Sequence, residues 1–131
     1  MIGIDTNILV RYIAQDDPVQ SQRATELIER HFTTENPGFI STVVMVETVW
    51  VLTRGYRLSA REIAVAIERI LQVDVLVVDS EQEVFASMIA VREGRASFAD
   101  ALIGALGLTA GCSHTLTFDR NASRLPGFQQ A

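Results

Sequence analysis

Four acidic residues carry the chemistry this chain could perform. Asp5 closes the apolar opening Met1-Ile2-Gly3-Ile4, and Asp119 closes Thr115-Leu116-Thr117-Phe118. Asp100 begins a small, apolar stretch, Ala101-Leu102-Ile103-Gly104-Ala105. Glu47 sits inside Val43-Val44-Met45-Val46 and Thr48-Val49-Trp50-Val51-Leu52. Three of the four have ready structural roles. Asp5 suits a helix N-cap, Asp100 is the third residue after Ser97 in a capping box, and Asp119 suits a turn. Glu47 is harder to explain that way. At helical spacing its neighbours are Val43, Val44, Trp50 and Val51, and a glutamate is rarely buried on such a face unless it is paired or metal-bound. Carboxylates gathered in one place repel each other, and a hard divalent cation is the natural neutraliser. Mg²⁺ and Mn²⁺ prefer such oxygen ligands. A carboxylate site of this kind suits metal-assisted phosphodiester cleavage, in which the metal activates a water and stabilises the developing charge.

The elements that must position these acids follow from periodicity. Ile2 to Ile4 reads as a buried strand and Thr6 to Ala14 as a short helix. Asp17-Pro18 starts a second helix, with Ala24, Leu27, Ile28 and Phe32 on one face, ended by Asn36-Pro37-Gly38. Phe39 to Ser41 reads as a strand, and Thr42 to Arg54 as a helix stopped by Gly55. Ser59 and Glu62 have capping-box spacing ahead of Ile63, Ile67, Ile70 and Leu71. Val75 to Val78 has the continuous apolar character of a strand covered on both faces. Ser80 with Glu83 predicts a further box opening a helix that Gly94 closes. A helix over Ala101 to Gly111 and a strand over His114 to Thr117 complete the pattern, and the remainder is turn-rich. Strands alternating with helices predict a parallel sheet between helices, a three-layer α/β/α domain spanning residues 1–131. Asp5 and Asp119 then share the carboxyl edge of the sheet, where ligands bind in open α/β folds. The starts of the following helices bring Asp100 and Glu47 toward it. Asn7 and Thr117 are placed to orient those acids, and Arg120 and Arg124 to contact phosphate.

Composition narrows the classes. Hydrophobic residues make up 48% and charged residues 21% of 131, an ordinary globular balance. Net charge is −5, so nucleic acid would not be drawn in by the overall field and any phosphate site needs local cations. All eleven cationic side chains are arginine. The absence of lysine speaks against receiver domains and aspartate-nucleophile phosphatases, which also place an aspartate after the first strand but rely on a lysine near the phosphate. His31 and His114 have no partner at zinc-ligand spacing. No glycine-rich phosphate loop and no serine nucleophile elbow is present. The single Cys112 excludes an internal disulfide. No apolar run is long enough to span a bilayer and no basic leader precedes the first strand, so a reducing cytoplasm is the expected location.

The blocks Ile4-Asp5-Thr6-Asn7, Glu47-Thr48-Val49-Trp50-Val51-Leu52, Phe98-Ala99-Asp100-Ala101-Leu102-Ile103 and Thr115-Leu116-Thr117-Phe118-Asp119-Arg120, with Leu125-Pro126-Gly127, occur in one order along nearly the whole chain. In this the chain resembles the PIN-domain ribonucleases, in particular the VapC-type toxins of bacterial toxin–antitoxin pairs. The resemblance implies a Rossmann-like PIN fold with a short, mainly parallel sheet. It implies endoribonuclease activity dependent on Mg²⁺ or Mn²⁺, inhibition by a small VapB-like antitoxin, and a homodimer. Carried over residue by residue, Asp5, Glu47, Asp100 and Asp119 form the acidic quartet, with Asp5 and Asp100 as principal metal ligands. Asn121 stands where many similar proteins carry another acid, which leaves open whether one metal or two would act. The apolar faces around Leu27 and Ile67 are expected to serve dimer or antitoxin contacts. The competing expectation is a PIN-like scaffold that binds RNA or protein without cleaving.

Overall fold

Strands and helices alternate along the chain in a computed structural model that describes residues 1–131. Strand β1 (Ile2–Gly3) leads into helix α1 (Thr6–Ala14), followed by α2 (Pro18–Glu26) and a π-helical turn (Leu27–His31). Strand β2 (Gly38–Ile40) precedes α3 (Thr42–Arg54) and α4 (Ala60–Leu71). Strand β3 (Leu76–Val78), α5 (Glu81–Arg92), α6 (Phe98–Thr109) and β4 (Thr115–Thr117) follow. A 3₁₀ turn (Ala122–Arg124) leads into β5 (Phe128–Gln130).

Local chemistry sets most of these boundaries. Asp17 accepts the Val19 and Gln20 N–H groups at 3.0 and 2.8 Å, with Pro18 in the first turn of α2, where its missing N–H costs nothing. Ser41 caps α3 by accepting from Val44 N–H. Ser59 and Glu62 make both halves of the capping box of α4, and those hydrogen bonds hold the Glu62 carboxyl below its usual pKa. The box expected from Ser80 and Glu83 does not form. Ser80 is left-handed (φ 55°) and makes no side-chain cap, and Glu83 instead accepts the Thr109 hydroxyl at 2.8 Å, tying α5 to α6. At the end of α5, Gly94 (φ 70°) donates to Val91 and Arg95 to Ala90. This is the Schellman arrangement that glycine's freedom at positive φ permits.

All strand pairs are parallel, and they fall into two sheets: β1-β2-β3, and β4 with β5. Ile2 lies opposite Gly38 and Gly38 opposite Leu76; Thr115 lies opposite Phe128. Strand β5 falls within the stretch expected to be turns only. Its pattern, Phe-Gln-Gln, gives too little apolar alternation to be read as a strand.

The core lies on one side of the three-stranded sheet. Ile4, Ile40, Leu76 and Val78 are buried against Leu9, Ile28, Met45, Leu52, Ile67 and Met88. The opposite row, Gly3-Phe39-Val77, is not covered in the same way: Val77 remains 42% exposed. The expectation that the Val75–Val78 strand is covered on both faces is therefore corrected: Leu76 and Val78 face the core, and Val77 does not. The faces around Leu27 and Ile67 are also corrected. Ile67 is buried and Leu27 packs on the core, so neither is a free surface.

Gly38 sits at the centre of this packing. A Cβ there would lie 2.6 Å from Ile4 Cδ1, 2.8 Å from Phe32 Cε2 and 3.0 Å from Leu76 Cδ2, distances that force neighbouring side chains to shift. Gly38→Ala is expected to lower unfolding stability by about 1–3 kcal/mol, measured as a lower urea midpoint with unchanged slope.

Candidate active site

The first part of the site is built at the β1–α1 junction. Asp5 has extended backbone and its carboxylate accepts the Thr6 N–H at 2.7 Å, which starts α1. Thr6 is buried, and its hydroxyl donates to Oε1 of Glu47, one and a half turns into α3. This contact joins two helices that belong to different strand–helix units. Glu47 is exposed rather than buried among its valines. The face it occupies is open, with Val43 74% and Trp50 61% exposed. Its carboxylate is thus held by Thr6 and reached by water. Asp5, Thr6, Asn7 and Glu47 line a depression of about 340 Å³ whose remaining wall includes Arg11, Val51 and Tyr56.

The second part lies at the start of α6. Ser97 accepts the Asp100 N–H at 3.2 Å, but the Asp100 carboxylate accepts no hydrogen bond in return and is half-buried and uncommitted. Asp119 is committed on one oxygen: Oδ1 accepts the Asn121 and Ala122 N–H groups at 2.8 and 3.2 Å and so starts the 3₁₀ turn. The Thr117 hydroxyl accepts the Asp119 N–H at 3.0 Å and shapes the same turn. Asp100 and Asp119 line a depression of about 430 Å³ together with Arg95, Ser97, Asn121 and Arg124. Arg120 is exposed and lines neither depression.

The four acids therefore meet as two pairs, Asp5 with Glu47 and Asp100 with Asp119. No group of three or more acidic, histidine or cysteine side chains has the spacing of metal ligands. Asp5 follows β1 and Asp119 follows β4, and these strands are not hydrogen-bonded to each other. The donor chemistry of each pair still suits a hard cation. Mg²⁺ commonly takes one or two carboxylates and keeps several waters, and each depression offers two carboxylates open to solvent.

Sequence reasoning missed five residues. Thr6 was visible only as part of Asp-Thr-Asn, with no role attached to its hydroxyl. Asp79 follows β3 as Asp5 follows β1, and it accepts the Thr42 hydroxyl at 3.2 Å on the same sheet edge. Asp16 and Tyr56 form a cluster with Arg11. Tyr56 donates to Asp16 Oδ2 at 2.6 Å, while Arg11 Nη1 donates to both Asp16 oxygens at 3.0 and 3.1 Å and to the Tyr56 hydroxyl at 3.2 Å. The Tyr56 hydrogen bond, with help from Arg11, holds the Asp16 carboxyl below its ordinary pKa. The same Asp16 raises the Tyr56 phenol, which stays protonated as a donor, and raises the Arg11 guanidinium.

With this geometry in place, the chain matches the PIN domain family over residues 2–127. It belongs to that family, whose fold is generally a nuclease fold. No curated protein matches the chain significantly. No helix is long and apolar enough to cross a membrane.

The Asp16 cluster gives a pH dependence of known sign. A carboxyl with a lowered folded-state pKa contributes stability that is complete above its unfolded value and fades as pH falls through the folded one. The gap in Tm between the wild type and Asp16→Ala is expected to be largest near neutral pH and to shrink below about pH 4, as followed by circular dichroism melts across pH.

Proposed function

We propose that this chain is an endoribonuclease dependent on Mg²⁺ or Mn²⁺ and the toxin of a toxin–antitoxin pair. The observation that carries the reading is the hydroxyl of buried Thr6 holding the Glu47 carboxylate at the depression that Asp5 lines, in a chain of the PIN domain family. Asp5 and Asp100 are the proposed principal ligands of the metal. Glu47, fixed by Thr6, supports Asp5, and Asp119 contributes through the oxygen it does not use in its turn. When bound, the metal supplies a nucleophilic water at neutral pH and offsets charge on the phosphate. The residues of the chain do the placing. Asp5 is fixed by its hydrogen bond from Thr6 N–H, Glu47 by the Thr6 hydroxyl, and Asn7 lines the same depression, where its amide can hydrogen-bond a water or a phosphate oxygen. Asp100 keeps both oxygens available. Arg124, with Arg95 in the same depression, supplies local positive charge beside Asp100 and Asp119.

A second reading, a PIN-like module that binds RNA or protein without cleaving, is favoured by the separation of the acids into two pairs. Cleavage of a labelled single-stranded RNA separates the readings. We expect hydrolysis with Mg²⁺ or Mn²⁺ and none in EDTA, and a loss of at least about a hundredfold in kcat/KM for Asp5→Asn and for Asp100→Asn, with far-ultraviolet circular dichroism unchanged. Wild-type cleavage by Asp5→Asn would sink the metal mechanism, and absence of cleavage by the wild type would leave the binding module.

The toxin role and its partners rest on the same reading. A VapB-like antitoxin and a second copy of this chain are the proposed partners, in the cytoplasm. The exposed apolar side chains Val43 and Trp50 on α3, flanking Glu47, support contact with a protein partner there. Expression of the chain alone is expected to arrest bacterial growth, and co-expression of a small adjacent open reading frame to restore it. Growth unaffected by a demonstrably active nuclease would argue against the toxin role.

A further inference from the structure

We propose that Arg11 holds a backbone phosphate of the RNA strand at the Asp5–Glu47 depression, and that Asp16 and Tyr56 are positioning residues that fix its guanidinium there. The inference rests on the reading of RNA as ligand and adds the residue that would compensate for the acidity of this site.

Arg11 lines the depression together with Asp5 and Glu47. It is the one cationic side chain among the residues lining it, and an anionic strand entering beside two carboxylates needs a local positive charge. The guanidinium is held from two sides. Nη1 is bound by Asp16 and Tyr56, and Nε donates to Gln20 Oε1 at 2.9 Å. Nη2 donates to nothing in the protein, which leaves two donors of the planar fork uncommitted. A guanidinium anchored through Nη1 and Nε and free at Nη2 is preorganised for an oxyanion. Little rotamer freedom remains to be lost on binding. The anchors come from three separate segments: Asp16 from the turn after α1, Gln20 from α2, and Tyr56 from the turn after α3. Tying those segments together would need no arginine at the depression. An ion pair on an open surface contributes little to stability, and the Arg11 and Asp16 side chains are 31% and 39% exposed. The arrangement is better matched to aiming a cation than to holding the fold.

The test uses the full chain and a fluorescent 2′-O-methyl oligoribonucleotide, with binding measured by anisotropy in EDTA so that it does not depend on cleavage. Arg11→Gln is expected to weaken binding roughly tenfold, the effect of losing one hydrogen bond to a charged group. In cleavage assays it should raise KM by a similar factor with kcat changed less than about twofold, since uniform binding is what it removes. Oligoribonucleotides carrying one neutral methylphosphonate each then locate the contact. At one position the neutral linkage should weaken wild-type binding, and Arg11→Gln should add no further loss there, while losses add at all other positions. Tyr56→Phe should show the same non-additivity more weakly, which a purely structural role would not produce. Additive losses at every position, or wild-type affinity in Arg11→Gln, would overturn the assignment. If Arg11→Gln melts below the assay temperature, Arg11→Lys replaces it: a KM raised a few-fold, non-additive with the same linkage, supports the assignment, and an unchanged KM overturns it. Non-additivity without any cleavage would leave Arg11 standing and remove the nuclease reading. Cleavage with additive losses would do the reverse, and a wild type that binds no RNA would overturn both.

Discussion

The site depends on the register of three short parallel strands. Ile4 N–H bonds to the Phe39 carbonyl and Asp79 N–H to the Ile40 carbonyl, so the strands end in step and deliver Asp5, Ser41 and Asp79 to one edge. From that edge α1 and α3 begin within reach of each other, capped by Asp5 and Ser41. The Thr6 hydroxyl can then meet Glu47 only because both helices leave the sheet at the same level. A one-residue slip in β2 would reverse the faces of Phe39 and Ile40. It would bury the wrong side chain and move Glu47 away from Thr6.

Asp5 shows how one carboxylate serves structure and site at once. Its Oδ1 satisfies the Thr6 N–H at the start of α1, and it stays exposed while doing so. Asp100 divides the work differently. Ser97 does the capping through Asp100 N–H, and the Asp100 carboxylate is left free. Asp119 lies between them, with one oxygen in its turn and one not. An aspartate at an element start is therefore not forced to choose between cap and ligand. What decides its availability is whether the backbone N–H groups nearby are satisfied by its own oxygens or by a neighbour's hydroxyl.

Much of this was legible in the sequence because it is local. Asp17-Pro18, Ser59 with Glu62, Gly55 and Gly94 mark element ends through bonds spanning only a few residues, and helices α1 and α3 fall where periodicity places them. The Ser80–Glu83 box failed for a non-local reason: Glu83 has a better donor in Thr109, 26 residues away. Glu47 was singled out on the supposition of a buried charge. It is in fact exposed, on a helix face whose valine and tryptophan are exposed with it. Hydrophobic neighbours in sequence did not reveal which way that face points. Strand β5 and the division into two sheets were not legible either, since pairing between Thr115 and Phe128 is a matter of tertiary register.

The two-sheet arrangement also bears on how the acidic pairs relate. Sequence order and a single parallel sheet would bring Asp5 and Asp119 to one place. Here β1 and β4 each have a neighbour on one side only, β2 and β5, so each acid is paired with the helix of its own half: Asp5 with Glu47 of α3, Asp119 with Asp100 of α6. Each half is internally fixed, the first by Thr6 and the second by the Asp119 turn. The halves are joined by the packing of α5 between α4 and α6 and by contact between α3 and α6 themselves. Carboxylates kept in separate pairs avoid the repulsion that four would suffer together. A cation, or a cation carried with a phosphate strand, removes that repulsion.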